Sequence, residues 1–142
     1  MKINDTNFHE FLARVTSQSK DTGAQVGAII VRNGHLVIGA CNELPDGVSD
    51  TPERRAKPAK YFFTEHAERN AVLLAARYGH KTEGCVMYQT WFPCADCARA
   101  IIQSGIVRLV CQKPDFGNKQ WGDSFAASMT MLQEADVSID FY

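Results

Sequence analysis

His66, Glu68 two positions on, and the Cys-x-x-Cys pair Cys94 and Cys97 are the residues of this chain whose types and spacing equip it for chemistry. One imidazole and two thiolates are soft metal ligands. Three protein ligands with an open fourth position describe a catalytic zinc better than a structural one. A structural site would want a fourth ligand. The other histidines, His9, His35 and His80, fall in a helical stretch, a hairpin and a segment past a helix end, none of them beside the site. A carboxylate next to the open position is placed to move the protons of a bound water. Taken singly these signals are weak, since a Cys-x-x-Cys also serves as a redox pair and His-x-Glu recurs by chance. His-x-Glu together with Pro93-Cys94-x-x-Cys97, each opening a helix, is far more specific than either part.

Two helix starts must present these groups. From Glu65 onward, Ala67, Ala71, Leu74, Ala75 and Tyr78 keep helical spacing up to a stop at Gly79, which puts His66 in a first turn. Residues 94–104 form a second helix, stopped by Gly105. Cys94 and Cys97, three apart, share a face, so both sulfurs reach one ion. The positive end of a helix dipole lowers thiol pKa and favours the thiolate that zinc needs.

Around these helices the chain alternates. Phe8, Phe11, Leu12 and Val15 mark a first amphipathic helix after Asn4 and Asp5, ending near Ser17 to Lys20. Ser19-Lys20-Asp21-Thr22-Gly23 is a polar turn, read either as a solvated connector or as a hydroxyl and an ammonium that hold a phosphate. Residues 26–31 and 36–40 flank Asn33-Gly34, the strongest short hairpin signal. Asn42, at the end of the second strand, serves as a turn former or as a ligand-binding group. Residues 44–60 lose periodicity; Pro45, Pro52 and Pro58 punctuate them, and Arg54, Arg55, Lys57 and Lys60 make them locally basic. A loop this long is either functional or a solvated excursion. Strands at 86–90, 106–111 and 137–141 alternate with the two helices above and a third at 124–135. This order predicts an α/β fold, a three-layer α/β/α arrangement around a mixed five-stranded sheet, in one domain over residues 1–142.

Composition narrows the function. Hydrophobic residues at 45% and charged residues at 22% are ordinary for a globular chain. A net charge of −1 argues against polynucleotide binding and leaves a small phosphorylated ligand open. The N-terminus lacks a signal-peptide pattern, and no apolar run approaches the ~20 residues of a membrane span. Five cysteines, of which Cys41, Cys85 and Cys111 sit in apolar strand-like stretches as small buried hydrophobes, indicate a reduced, cytoplasmic protein.

The chain resembles the cytidine and deoxycytidylate deaminase superfamily over almost its whole length. Glu65-His66-Ala67-Glu68-Arg69-Asn70-Ala71 is similar to the HAExNA motif of deoxycytidylate deaminases. Free-nucleoside deaminases usually carry Cys in place of His66; tRNA adenosine and guanine deaminases usually lack an Asn at Asn70. Ser19-Lys20-Asp21, Gln25-Val26-Gly27-Ala28 and Lys60-Tyr61 also look like that family. The signature of zinc deaminases joins such a His-x-Glu to a Pro-Cys-x-x-Cys, with a Glu that is not a ligand. The resemblance implies a Zn2+ cofactor on His66, Cys94 and Cys97, and hydrolytic deamination of dCMP to dUMP and ammonia. It implies that Glu68 shuttles the proton to ring N3 and then helps the amino group leave. By the same resemblance the Ala67 backbone holds the base carbonyl, the Phe92 carbonyl receives the leaving amino group, and Asn42 contacts the sugar. The phosphate would fall to Ser19, Lys20 and the basic loop, and the protein would form a homo-oligomer.

One departure stands out. Regulated members carry Gly-Tyr-Asn-Gly at the end of the second strand, associated with nucleoside triphosphate effectors such as dCTP and dTTP. Here the stretch is Ala40-Cys41-Asn42-Glu43, and the Glu43 carboxylate stands against an anionic effector. Two alternatives compete with dCMP turnover. The first keeps the chemistry and changes the substrate to dCTP, CMP, deoxycytidine or a nucleoside antibiotic. The second is a zinc-stabilised nucleic-acid-binding module using Trp91, Phe92 and Trp121 as stacking surfaces. Those aromatics are expected instead in core or subunit-interface packing.

Overall fold

The computed structural model describes residues 1–142. Its first layer is α1 (Phe8–Thr16), whose buried Phe8 and Leu12 face the sheet. Strands β1 (Gly27–Arg32) and β2 (His35–Cys41) pair antiparallel with Arg32 opposite His35. Asn33 and Gly34 take φ of 50° and 81°, the two positive-φ residues that a two-residue hairpin turn requires. Strands β3 (Val86–Gln89), β4 (Arg108–Cys111) and β5 (Ser138–Phe141) complete a sheet of order β2-β1-β3-β4-β5. β3 runs antiparallel to β1, and β3, β4 and β5 run parallel. The expected mixed five-stranded sheet is present.

Strand periodicity assigns the two cores. Ile29, Val31, Tyr88 and Val110 pack with Phe8 and Leu12 on one face. Ala28, Ile30, Met87, Leu109 and Cys111 pack on the other face. They meet α4 (Ala67–Arg77), α5 (Ala95–Gln103) and α6 (Gly122–Glu134) through Ala67, Ala71, Ala98, Ile101, Phe125 and Leu132. Cys41, Cys85 and Cys111 are free and buried, as expected of small hydrophobes. The first layer sits close: a Cβ built on Gly27 would lie 2.2 Å from Thr16 Oγ1. No helix is long and apolar enough to cross a membrane.

The aperiodic stretch is not wholly irregular. It contains one four-residue helix, α2 (Pro52–Arg55), and a second, α3 (Lys60–Phe63), begins at its last residue. α2 has a local cause in Thr51, which accepts from the Arg54 amide, and in Pro52 at the helix start, where a missing N–H costs nothing. The excursion is then closed on itself. Glu43 N donates to Glu65 O at 3.2 Å and Glu65 N to Glu43 O at 2.9 Å. That bridge returns the chain to the end of β2 just before His66.

Candidate active site

Both ligand-bearing segments open helices at the ends where β2 and β3 finish, on the side where open sheets place ligands. His66 and Cys94 are helix N-caps rather than first-turn residues. Their ψ angles of 148° and 172° are extended, while their carbonyls accept from Asn70 N and Ala98 N, both at 2.8 Å. The α5 start is fixed from outside by Ser124 of α6, whose Oγ accepts from Ala95 N at 2.8 Å. The α4 start is fixed by Asn70, whose amide donates to Cys41 O at 3.1 Å and Glu43 Oε1 at 3.2 Å. Asn70, a marker among relatives in the sequence, therefore ties α4 to β2 rather than facing the cavity.

His66, Cys94 and Cys97 meet with their ligand atoms all within 4.8 Å of one another. His66 Nδ1 lies 3.4 Å from Cys94 Sγ and 3.5 Å from Cys97 Sγ. Zinc–sulfur near 2.3 Å and zinc–nitrogen near 2.05 Å across a tetrahedral angle put those atoms about 3.6 Å apart. The donor set and its spacing fit a zinc ion.

The electrostatics agree. Cys97 and then His66 pull the Cys94 thiol down to about 4, while the proton Cys97 shares with Cys94 pushes Cys97 up. Cys94 in turn raises His66 to about 9 against its burial. Glu68 is 4% exposed, and burial pushes its carboxyl up to about 7 against the pull of His66.

A cavity of about 260 Å³ opens over this group, close to the lower limit of about 300 Å³ common for small-molecule sites. His66, Ala67, Glu68, Phe92 and Cys94 form its inner wall. Asn42 is also on the wall, with its Oδ1 accepting from Ser19 Oγ (2.7 Å) and Val26 N (2.9 Å) and its Nδ2 donating to Ala24 O (2.8 Å). Trp91 and Trp121 line the cavity as well, and Trp121 also packs against the core. The Trp121 ring stands edge-on to His66 with centroids 5.7 Å apart. Trp121 arrives from the connection after β4, far from the metal motifs in sequence, and nothing local to it signals this placement.

Ser19 and Lys20 do not reach this cavity. Ser19 is buried and spends its hydroxyl on the Asn42 side chain and carbonyl. Lys20 extends outward to Asp50 at 3.4 Å, on a separate hollow of about 80 Å³ that it shares with Glu43 and Arg55. Arg55 Nε faces the same Asp50 at 2.8 Å, as an ion pair rather than an aligned hydrogen bond. Asp21, the third residue of that turn, does line the cavity, and it holds Lys60.

Residues 2–113 match the cytidine and deoxycytidylate deaminase zinc-binding region. The chain belongs to that family. Among its relatives, an uncharacterized deaminase in the luxG 3′ region of Aliivibrio fischeri is 40% identical over 134 residues, 93% of this chain and 88% of that protein. The deoxycytidylate deaminase of Homo sapiens is 36% identical over 122 residues, 81% of this chain and 65% of the human protein. The dCMP deaminase of cyanophage S-TIM5, solved in complex with dCMP and dUMP, superposes with a TM-score of 0.76 over 99% of both chains at 22% identity, which bears on the fold. The deaminase fold thus accounts for the sheet order and for the two helix starts converging on one point.

Proposed function

We propose that this chain is a zinc-dependent deaminase that converts deoxycytidylate and water to deoxyuridylate and ammonia. The observation that carries the reading is the meeting of His66, Cys94 and Cys97 within 4.8 Å beside a buried Glu68, at the bottom of a cavity of small-molecule size. Membership of the deaminase family and the 36% identity to the human deoxycytidylate deaminase support the choice of substrate.

Zinc held by the three ligands would supply a Lewis acid, which brings the pKa of water from about 15.7 to about 7. The rest falls to the chain. Glu68 takes a proton from the attacking water and delivers it to N3 of the cytosine ring, which makes C4 electrophilic. After attack at C4, Glu68 takes the proton of the new C4 hydroxyl and passes it to the amino group; the C4–N bond breaks as the C4 carbonyl forms, and ammonia leaves. A carboxyl whose pKa burial brings near neutrality is suited to both directions of transfer. The Ala67 N–H holds the base carbonyl and the Phe92 carbonyl takes the departing amino group; both residues are buried on the cavity wall. Asn42 has one Nδ2 proton left after its bond to Ala24, and that proton is free for a sugar hydroxyl. A homo-oligomer belongs to this reading, and exposed Phe62, Val107 and Phe116 are apolar surface that it would cover.

The test is Glu68→Gln, with zinc content measured beside ammonia release from deoxycytidylate. We expect zinc retained and turnover reduced at least about 100-fold, the scale of lost general acid–base catalysis. Near-normal turnover with zinc in place would remove Glu68 from the mechanism.

A further inference from the structure

Two lysines, Lys57 and Lys60, lie on the cavity wall, and they are not electrostatically equivalent. Lys60 Nζ stands 3.2 and 3.3 Å from the two carboxylate oxygens of Asp21. Asp21 also accepts from Gly23 N and Ala24 N. Burial works to raise this carboxyl, but those two amides and Lys60 outweigh it and keep it below the usual carboxylate value, so the pair stays ionised and cancels locally. An anion near Asp21 meets a neutral pair rather than a net cation.

The rest of the basic stretch is also spoken for. Arg54 lies over the Phe63 ring at 4.5 Å and donates to Ser49 O, and Arg55 faces Asp50. Lys57 takes part in none of the ion pairs of the chain. It lines the cavity together with Tyr61 and Gln120. Asn118 lies near them on the cavity wall. Its Oδ1 is taken by Gln120 N and Trp121 N, so the amide NH2 is what it offers. Lys57, Tyr61, Asn118 and Gln120 are exposed, whereas Ala67, Glu68, Phe92 and Cys94 are buried. The cavity therefore has a dry reacting end and a wet end furnished with one unpaired cation and neutral donors.

We propose that Lys57 is the residue that selects a phosphorylated substrate, its ammonium holding the 5′-phosphate at the outer end of the cavity with help from Tyr61, Asn118 and Gln120. Lys60 keeps Asp21 from repelling that phosphate. The proposal rests on the deaminase reading above and departs from the Ser19 and Lys20 assignment, whose side chains face elsewhere.

The experiment compares kcat/KM for deoxycytidylate and deoxycytidine in the wild type, Lys57→Met and Lys57→Arg, with inorganic phosphate as an inhibitor of deoxycytidine turnover. We expect the wild type to prefer deoxycytidylate. Lys57→Met should lose about 10- to 100-fold on deoxycytidylate, mainly through KM, the scale of one charge-assisted hydrogen bond. Deoxycytidine lacks the group that Lys57 would hold, so its kcat/KM should move less than about threefold. Lys57→Arg should recover most of the loss, and phosphate inhibition should weaken at least about fivefold in Lys57→Met. Equal losses on both substrates, no loss on either, or a wild type indifferent to the phosphate would overturn the assignment while leaving the deaminase standing. A wild type that deaminates neither compound would overturn the deaminase reading and this proposal with it.

Discussion

Replacing Asp21 with Asn removes one charge and almost no volume, so it isolates the electrostatic part of the Asp21–Lys60 contact. The side chains are 5% and 15% exposed. Breaking a fully buried pair costs about 3–5 kcal/mol, whereas a solvated pair is worth about 0–1 kcal/mol. Lys60 keeps some water, and an Asn oxygen still accepts from Gly23 and Ala24, so the loss should fall between these limits, at about 1–3 kcal/mol. For a chain of this size that is a drop in Tm of about 3–10 °C, read by circular dichroism at pH 7. The sign of the pH dependence follows from the lowered carboxyl of Asp21. Its folded pKa lies below its unfolded value, so the stabilisation is complete above the unfolded value and is lost as pH falls through the folded one. The gap in Tm between wild type and Asp21→Asn should stay open from pH 7 to about pH 5 and narrow below about pH 4. A double-mutant cycle with Lys60→Met should return a coupling energy of about 1–3 kcal/mol. Equal melting of the two proteins at pH 7, or a gap that does not narrow in acid, would refute the ionised-pair account.

Two further outcomes follow from the geometry. Cys97→Ala deletes one of the three ligands, and zinc by elemental analysis should drop from about one per chain to below about 0.1, with a lower Tm; retained zinc would place the ion elsewhere. Gly27→Ala puts a methyl 2.2 Å from Thr16 Oγ1 and 3.0 Å from Thr16 backbone atoms, so it should cost about 1–3 kcal/mol of stability in chemical unfolding, and a neutral result would mean that α1 shifts freely on the sheet.

What proved legible in the sequence was governed by neighbours a few residues apart. The β-branched run at residues 26–31 and the helical spacing from Ala67 to Tyr78 are local signals of strand and helix. Asn33-Gly34 declares its turn through a local backbone requirement. The short helix α2 was also legible in principle, because Thr51-Pro52 is a cap and a first position; the prolines around it hid the signal. The exact cap status of His66 and Cys94 lay beyond spacing arguments, since one residue separates a cap from a first turn.

The candidate ligands and carboxylate, the helices that carry them and the alternation of helices and strands that builds a mixed sheet were thus determined by the sequence itself, because residue type and short-range period decide them. The tertiary structure alone decided which distant groups meet. Asp21 and Lys60 are 39 positions apart, and their pairing is what leaves Lys57 as the unpaired lysine of the cavity. Ser19 turned inward to Asn42, 23 positions away, and so left the ligand side. Trp121 came to stand against His66 only because α6 packs on α5 and brings its N-terminal connection over the candidate metal site. Each of these depends on how long segments return through space. A linear pattern names a charge or a hydroxyl, but the folded chain decides whether that group faces a ligand or another part of the protein.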